Sequence, residues 1–228
     1  MLKDHYGINP DWYQETITGP WESIDNEQFR TVEEDGVLYI FFEKTVGWKD
    51  WGSNLNFLPI EAKGAVPVKA YPQMDHPWYC HRGFKLAWNK VEKEIMYRVN
   101  SFGNTSTGHT VRIQGYSRGA ALAQKCNESI EWGWDTVAVE TLAFASPRWI
   151  WRPYSENVKP RMKGVKIILD DGDLVGHYPP WWTGYAHVGE KVIVSSRNYL
   201  FASPMEHTED NYWRALVRYV SENHKTRV

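Results

Sequence analysis

The sequence predicts an α/β fold in which helices cover both faces of a mainly parallel central sheet. Two observations support this prediction. Apolar runs of strand length recur along the chain, and their continuous rather than alternating character is typical of strands covered on both faces. Segments with apolar residues at helical spacing separate these runs, as expected for a parallel sheet. The 228 residues are 42% hydrophobic, so we expect a single domain over residues 1–228.

The predicted elements follow one another in a regular order after a polar N-terminal stretch. Up to about Thr31, we expect helices and turns that precede the sheet. The predicted strands are Val37 to Phe42, Thr110 to Gln114, Val137 to Ala145 and Val165 to Leu169, with Val188 to Val194 as an edge strand or hairpin arm. The predicted helices are Phe84 to Val99, Ala120 to Ile130 and His207 to Asn223.

Charge and hydropathy argue against several classes of partner. Lys and Arg number 26 against 28 Asp and Glu, a net charge of -2, so there is no overall basic field to bind nucleic acid. No apolar run approaches the roughly 20 residues that cross a bilayer, and the polar start lacks the apolar core of a secretory signal. We therefore expect the chain as given to be cytoplasmic, and release to the exterior by another route stays open.

The cysteines and aromatic residues leave two questions open. Cys80 and Cys126 are too few for a disulfide framework and offer no metal-ligand spacing, so we expect two buried thiols, although a bridge between them is an alternative. Thirteen Trp and thirteen Tyr are an excess. They favour either an aromatic core and rim, or an aromatic cleft or membrane-touching surface. The clustered tryptophans include Trp48, Trp51, Trp78, Trp88, Trp132, Trp134, Trp149, Trp151, Trp181 and Trp182.

A glycine-flanked serine gives the strongest functional signal. The residues from Gly115 to Gly119 have the form G-x-S-x-G and lie between a predicted strand and an Ala-rich predicted helix. A serine that protrudes at such a tight turn needs glycine where side chains would collide. The start of the helix directs free N–H groups at the oxyanion formed in acyl transfer. Ser117 is thus the predicted nucleophile and Arg118 an oxyanion-hole donor; a solvated serine in an ordinary turn is the alternative.

A carboxylate and a histidine are expected after the serine, from loops at the same sheet edge. Asp170, Asp171 and Asp173 follow the strand predicted from Val165. Asp173 is the preferred acid, because a loop carboxylate can accept a hydrogen bond from an imidazole N–H and fix its tautomer. Each of the three aspartates stays a candidate on spacing alone.

The base is expected near the C-terminus. His207 lies at a loop-to-helix junction, from which an imidazole can reach back over the serine. His177 and His187 are rivals because they lie near the aspartates, although a structural role is the commoner one for a lone histidine. His224 lies too close to the chain end.

With these residues in place, the chain resembles the class 3 lipase family, which includes fungal triacylglycerol lipases and some feruloyl esterases and has the α/β-hydrolase fold. The resemblance spans about Val37 to Trp213. The family's G-H-S-L-G-G-A-L-A, F-G-S-P-R and D-x-V-P-x-x-P-P motifs are matched by Gly115–Ala123, Phe144–Arg148 and Asp173–Pro180, and its H-x-G-F and G-Y-x-H-x-G motifs by His81–Phe84 and Gly184–Gly189.

The resemblance implies an ester hydrolase that works through an acyl-enzyme intermediate, with Ser117, His207 and Asp173 as its triad and neither cofactor nor metal. It implies that Thr45 is the oxyanion-hole donor beside Arg118. His81 and His187 would hold loops by hydrogen bonds. The chain departs from the family pattern where Tyr116 replaces His, Arg118 replaces Leu and Glu43-Lys44 replaces R-G. These departures concern the substrate more than the triad.

The stretch 46–55 corresponds to the family's lid. It is polar and glycine-rich, which favours an esterase or weakly interfacial lipase, with Trp48 and Trp51 available for transient contact with a lipid surface. An ordinary surface loop is the alternative. Lys44 and Arg118 next to the nucleophile suggest an anionic substrate, such as a phospholipid or an aromatic acid ester. Other functions left open are a phospholipase acting on membrane lipids and a catalytically silent binding module.

Overall fold

The structure, a computed structural model, describes residues 10–44, 58–62, 77–105, 109–134, 137–195 and 202–225. Within these ranges the chain forms five α-helices: α1 (Pro10–Ile17), α2 (Arg82–Thr105), α3 (Arg118–Gly133), α4 (Ser155–Val158) and α5 (Glu209–Lys225). The same ranges contain eleven strands: β1 (Glu22–Ile24), β2 (Glu27–Glu34), β3 (Val37–Phe42), β4 (Pro59–Glu61), β5 (Tyr79–His81), β6 (His109–Tyr116), β7 (Val137–Phe144), β8 (Ile150–Trp151), β9 (Val165–Asp170), β10 (Tyr185–Ala186) and β11 (Glu190–Ser195).

Seven strands make the central sheet in the order β1-β2-β3-β6-β7-β9-β11. The five strands from β3 to β11 in this order are parallel, whereas β1 and β2 are antiparallel additions at one edge. The predicted mainly parallel sheet is confirmed. The strand predicted over Val37–Phe42 is observed with the same bounds. The segment predicted from Val188 is an edge strand rather than a hairpin arm, because β11 pairs in parallel with β9.

Helices lie on both faces of this sheet. On one face, α2 and α3 bury a cluster that contains Trp88 and Ile95 against strand residues such as Ile40 and Ile113. On the other face, α1 and α5 cover Phe144 and Ile168 with a cluster that includes Tyr13 and Tyr212. Strands β3 and β9 have few exposed residues on either face, which explains their continuous apolar character, whereas the edge strand β11 alternates between buried and exposed residues. None of the helices in the described ranges combines the length and the apolar character that a membrane span requires.

The prediction for the N-terminal stretch was partly wrong. A helix is present in α1, but the residues before Thr31 also form β1 and most of β2. Only alternate residues of β2 are buried at its start, Glu27 and Phe29, and the strand's other face is partly exposed, so its composition is polar. Two-residue turns with positive φ join these strands, at Asp25-Asn26 and at Asp35-Gly36. An Asp-Gly pair between extended segments is a hairpin signal.

A second, smaller sheet has the order β10-β8-β5-β4 and was not predicted. Its strands are two or three residues long, too short to give a periodic pattern. This sheet packs against α3 through Cys80 and Ile150, which share a core cluster with Ala120 of that helix. Cys80 and Cys126 are both buried and free, as expected, and burial raises the pKa of the Cys80 thiol to about 12.

Candidate active site

Ser117 lies at the sharp turn between β6 and α3. Its φ of 58° and ψ of -122° form a strained backbone conformation for a residue with a side chain. The flanking glycines allow the turn to close. A Cβ atom at Gly115 would lie 2.2 Å from the carbonyl oxygen of Gly119, and one at Gly119 would lie 2.5 Å from that of Phe42. The start of α3 therefore packs directly against the end of β3, and the serine hydroxyl is held above the sheet edge.

The structure brings Ser117, His207 and Asp173 together in a hydrogen-bonded line. His207 Nε2 lies 2.8 Å from Ser117 Oγ, and His207 Nδ1 lies 2.8 Å from Asp173 Oδ2. The Asp173 side chain is fully buried, while 13% of the His207 side chain is exposed. A buried carboxylate that accepts from Nδ1 leaves Nε2 to accept the serine proton. The three groups thus have the geometry of a nucleophile, a base and an orienting acid.

The rival residues make other contacts. The Asp170 carboxylate accepts a hydrogen bond from the Gly172 N–H, while the Asp171 carbonyl oxygen lies 3.1 Å from His177 Nε2. Nε2 of His187 lies 2.9 Å from the Gly176 carbonyl oxygen. These contacts stay within the loop after β9 and its neighbours. Among the candidate histidines His177, His187 and His207, only His207 has a hydrogen bond to Ser117 in the described part of the chain.

A single β-bridge and the turn that follows it position the His207 imidazole next to Ser117. The Asp173 turn pairs with Ser203, whose N–H donates to the Gly172 carbonyl oxygen at 2.9 Å. A 3₁₀ turn, Pro204–Glu206, follows, and the Ser203 hydroxyl accepts a hydrogen bond from the Met205 N–H at its start. His207 lies just after this turn. The helix predicted to begin at His207 begins instead at Glu209, because the backbone of His207, with φ of -77° and ψ of 57°, is not helical.

Tyr212 supports the carboxylate from α5. Its hydroxyl donates to Asp173 Oδ2 at 2.8 Å and accepts from the Asp170 N–H at 3.1 Å, while the Val175 N–H donates to Asp173 Oδ1 at 2.8 Å. Burial raises the pKa of Tyr212, so its hydroxyl stays protonated and can donate. No pattern in the sequence revealed this hydrogen bond between Tyr212 and Asp173.

Replacing Tyr212 with Phe is expected to lower kcat by about tenfold with little change in KM, because the carboxylate loses one of its fixed donors. The Asp170 N–H also loses its partner, so the free energy of unfolding should fall by about 1–3 kcal/mol. Steady-state kinetics and denaturant unfolding of the Tyr212→Phe protein measure both effects. An unchanged kcat in a destabilised protein would restrict Tyr212 to a structural role.

Tyr116 takes the position before the serine at which the family has His, and it packs against the imidazole. Its ring centroid lies 5.1 Å from that of His207 and 5.6 Å from that of Tyr212. Tyr13 of α1 contacts Tyr116 edge-on, with centroids 5.9 Å apart. Burial raises the pKa of Tyr116, so the ring is a neutral support for His207. The N-terminal helix α1 therefore packs against the active site through Tyr13, which contacts Tyr116.

One of the two predicted oxyanion-hole donors can be located. Arg118 is the first residue of α3, where backbone N–H groups have no partner within the helix. A backbone N–H without a helical partner next to Ser117 is what an oxyanion donor requires, and the role of Arg118 stays a prediction. Thr45 and the predicted lid 46–55, with Trp48 and Trp51, lie outside the described residues.

Carboxylates neutralise both cations beside the nucleophile. Arg118 Nη1 lies 2.5 Å from Glu27 Oε2, and its Nη2 donates to Glu27 Oε1 at 2.6 Å. Lys44 forms an ion pair with Glu209. Only 5% of the Glu27 side chain is exposed, and although burial works to raise its pKa, the hydrogen bonds from Arg118 and Lys90 lower it. The electrostatic reason for expecting an anionic substrate is therefore weak.

We expect Arg118→Gln to lower kcat/KM for neutral and anionic esters by the same factor, about three- to tenfold, because the ion pair positions the start of α3 rather than the substrate. Parallel assays on esters of butyric acid and of a succinic half-acid compare the two charges. A loss confined to the anionic ester would instead show that Arg118 selects anionic substrates.

Two buried histidines make the fold sensitive to acid. His81 Nδ1 accepts a hydrogen bond from the Gly83 N–H, which fits the loop-holding role that the resemblance implied. Burial lowers the pKa of His81 to about 4, and burial likewise lowers that of His187 to about 4. An unfolded histidine binds a proton below about pH 6.5, whereas the folded one does so only near its own lowered pKa. Stability should therefore fall as the pH drops from 7 towards 4.

For His81 this loss amounts to about 3 kcal/mol across that range. The variant His81→Gln keeps an acceptor for the Gly83 N–H but cannot be protonated. Denaturant unfolding at pH 7 and pH 4 should show that the wild type loses about 3 kcal/mol more than His81→Gln. Equal losses in the two proteins would contradict the assignment.

Among the described residues, no group of three or more His, Cys, Asp or Glu is arranged to hold a metal ion.

Comparison with known proteins identifies the family. A lipase from Rhizomucor miehei is 21% identical over 169 residues, which are 73% of this chain and 44% of that protein. A solved structure of Rhizomucor miehei triacylglyceride lipase has a TM-score of 0.68 at 18% identity, covering 82% of this chain and 77% of the other. A triacylglycerol lipase structure, described as having a serine protease triad as its catalytic centre, has a TM-score of 0.64 at 19% identity, covering 78% and 66%.

The chain thus spans less than half the length of the curated relative that it matches. At these identities, the likeness to the solved structures establishes the α/β-hydrolase fold. The sequence model of class 3 lipases matches residues 39–182, which is more than half of the chain and includes the glycine-flanked serine and the aspartate loop. The chain belongs to the class 3 lipase family.

Proposed function

We propose that this protein hydrolyses carboxylic esters with Ser117 as its nucleophile. The observation that carries the proposal is the continuous line of hydrogen bonds from Ser117 Oγ through His207 to Asp173, with both distances at 2.8 Å. Membership of the class 3 lipase family supports the same reaction. The strained turn at Ser117 adds support, because strain of this kind is kept where it exposes a reacting group.

In the proposed reaction, His207 Nε2 takes the proton of Ser117 as Oγ attacks the ester carbonyl carbon. The resulting oxyanion accepts a hydrogen bond from the Arg118 N–H and, in our proposal, another from Thr45. His207 then gives its proton to the alcohol oxygen, which leaves as the C–O bond breaks and the acyl group stays on Ser117. Water, deprotonated by the same imidazole, releases the acid and restores the hydroxyl.

Asp173 is proposed to hold the imidazole rather than to exchange protons. It accepts from His207 Nδ1 while Tyr212 and the Val175 N–H fix its two oxygens. This arrangement favours the tautomer with a free Nε2 and stabilises the imidazolium that forms in each step. The steps use only side chains, backbone N–H groups and water.

The substrate that we propose is an uncharged fatty-acyl or similar ester. Both cations near the serine are paired with carboxylates, which removes a specific reason for an anionic group next to the scissile bond. The polar, glycine-rich composition of stretch 46–55 favours an esterase or weakly interfacial lipase over an enzyme that depends on a strongly apolar lid.

A panel of p-nitrophenyl esters of increasing acyl length, together with phosphatidylcholine and tributyrin, tests the activity and ranks the substrates. We expect hydrolysis of the p-nitrophenyl esters and tributyrin by the wild-type protein and a lower rate on the phospholipid. A Ser117→Ala protein purified in the same way reports any contaminating hydrolase. Absence of hydrolysis on every ester would instead favour a catalytically silent binding module.

A further inference from the structure

Two adjacent tryptophans are exposed on the turn Trp181–Thr183. The exposed fraction is 60% for Trp181 and 71% for Trp182. Tryptophan has a large apolar ring, and its burial contributes more to stability than that of most residues, so a pair left in water points to a surface that is covered in use.

A second turn places further aromatic and cationic groups beside the tryptophans. Strands β8 and β10 pair antiparallel, with Trp151 opposite Tyr185, so the residues after β8 and those before β10 lie at the same end of the ladder. The Arg152 N–H donates to the Gly184 carbonyl oxygen at 2.7 Å. Tyr154, 39% exposed, follows on the same 3₁₀ turn. We call Arg152, Tyr154, Trp181 and Trp182 the aromatic patch.

Arg152 contributes an available positive charge to the aromatic patch. Its guanidinium carbon lies 5.9 Å from the centroid of the Trp181 ring, and the residue is exposed. Within the part of the chain that the structure describes, no carboxylate pairs with this guanidinium. The Arg152 guanidinium and the Trp181 indole thus lie next to each other on exposed residues.

The turn that carries the tryptophans is fixed to the fold. The Thr183 hydroxyl donates to the Pro180 carbonyl oxygen at 2.6 Å, and Arg148 Nη1 donates to that of Pro179 at 3.0 Å. Gly184 closes the turn with a φ of 90°, and a Cβ atom there would lie 2.6 Å from the ring of Trp151. A backbone tied in this way loses little conformational entropy when the indoles bind.

The aromatic patch is connected to the same sheet edge as the triad. The loop from Asp173 to the tryptophans begins at the carboxyl end of β9, and the Arg148 N–H, from the loop after β7, donates to the Tyr178 carbonyl oxygen at 2.8 Å. Ser117 follows the carboxyl end of the parallel strand β6. The turn that carries the tryptophans is therefore tied through backbone hydrogen bonds to the loop that carries Asp173.

We infer that the aromatic patch docks this protein on the surface of a phospholipid bilayer. Indole and phenol rings are favoured at the boundary between headgroups and acyl chains, and an exposed arginine beside them suits headgroup phosphate. A polysaccharide is the other common target of exposed tryptophans, but the two indole planes lie at 84° and give no flat platform for successive sugar rings. Docking needs no hydrolysis, although its use in supplying substrate rests on the proposed esterase activity.

Sedimentation with sucrose-loaded vesicles tests the docking directly. We expect the wild-type protein and Ser117→Ala to bind vesicles of phosphatidylcholine with about one-third phosphatidylglycerol equally well. The double variant Trp181→Ala/Trp182→Ala should bind about 10- to 100-fold more weakly, because most of the apolar area that enters the interface is removed. Arg152→Gln should lose about fivefold on these vesicles and little on pure phosphatidylcholine.

A matched control is Tyr97→Ala, which removes an aromatic ring of similar exposure, 67%, from the side of α2. This variant should bind vesicles as the wild type does. The tryptophan double variant, Arg152→Gln and Tyr97→Ala should all hydrolyse a short soluble ester at the wild-type rate. Vesicle binding by the double variant at the wild-type level would overturn the inference. The inference would also be overturned if the wild type bound insoluble cellulose or xylan instead of vesicles and the double variant lost that binding. Loss of ester hydrolysis in the wild type would affect only the proposed function.

Discussion

Replacing Ser117 with Ala is expected to lower kcat for a short p-nitrophenyl ester by about 10⁶-fold, while the protein keeps its fold. Ser117 Oγ is the group that His207 Nε2 contacts, and Ala leaves the imidazole without a nucleophile to deprotonate. The turn itself should tolerate the smaller side chain, because its closure depends on Gly115 and Gly119. Initial rates over a range of enzyme concentrations measure the loss, with circular dichroism as the check on folding.

Ser195→Ala is the matched control for that experiment. Ser195 ends β11 and lacks the flanking glycine pair that a nucleophile turn requires. Its replacement should change kcat by less than about twofold. If Ser117→Ala kept most of the activity while another serine variant lost it, the assignment of the nucleophile would be wrong.

Asp173→Asn is expected to lower kcat by about 10⁴-fold with a much smaller effect on stability. The carboxylate accepts hydrogen bonds from His207 Nδ1, the Tyr212 hydroxyl and the Val175 N–H. An amide that turns its NH₂ towards Nδ1 would favour the opposite tautomer, in which Nε2 carries the proton and cannot take one from Ser117. Steady-state kinetics between pH 6 and pH 9 measure this loss.

Asp171→Asn provides the comparison on the same turn. Burial raises the pKa of the Asp171 carboxyl, and it is the carbonyl oxygen of Asp171 that His177 contacts. The substitution should therefore lower kcat by less than about threefold. Equal losses in Asp171→Asn and Asp173→Asn would mean that the charge of the turn, rather than a single positioned carboxylate, supports the reaction.

The central part of the fold follows from local pattern. The run Val37–Phe42 is a strand with the predicted bounds because it is buried between two helical layers, and Ser117 lies at the predicted turn between β6 and α3. The edge of the sheet was harder to predict, since β2 is covered mainly on one face and its exposed residues are polar. Apolar periodicity over the first thirty residues could not separate that strand from turns.

The partners of the serine depend on contacts that spacing does not encode. His207 and Ser117 are 90 positions apart, and three aspartates occur within four residues at the end of β9. The family resemblance selected Asp173 and His207, and the geometry brings these two to the serine. Neither pattern nor resemblance indicated that Glu27 would neutralise Arg118, because that ion pair exists only after the unpredicted strand β2 has joined the sheet.

Labelling with a fluorophosphonate, followed by mass spectrometry of the digested protein, tests the central claim that His207 activates Ser117. A phosphonate forms a stable bond to a serine oxygen only when that hydroxyl is activated. We predict a single adduct on the peptide that contains Ser117 in the wild type, and a rate of labelling at least about 10³-fold lower in His207→Ala. An unmodified Ser117, or equal labelling of the two proteins, would contradict the account.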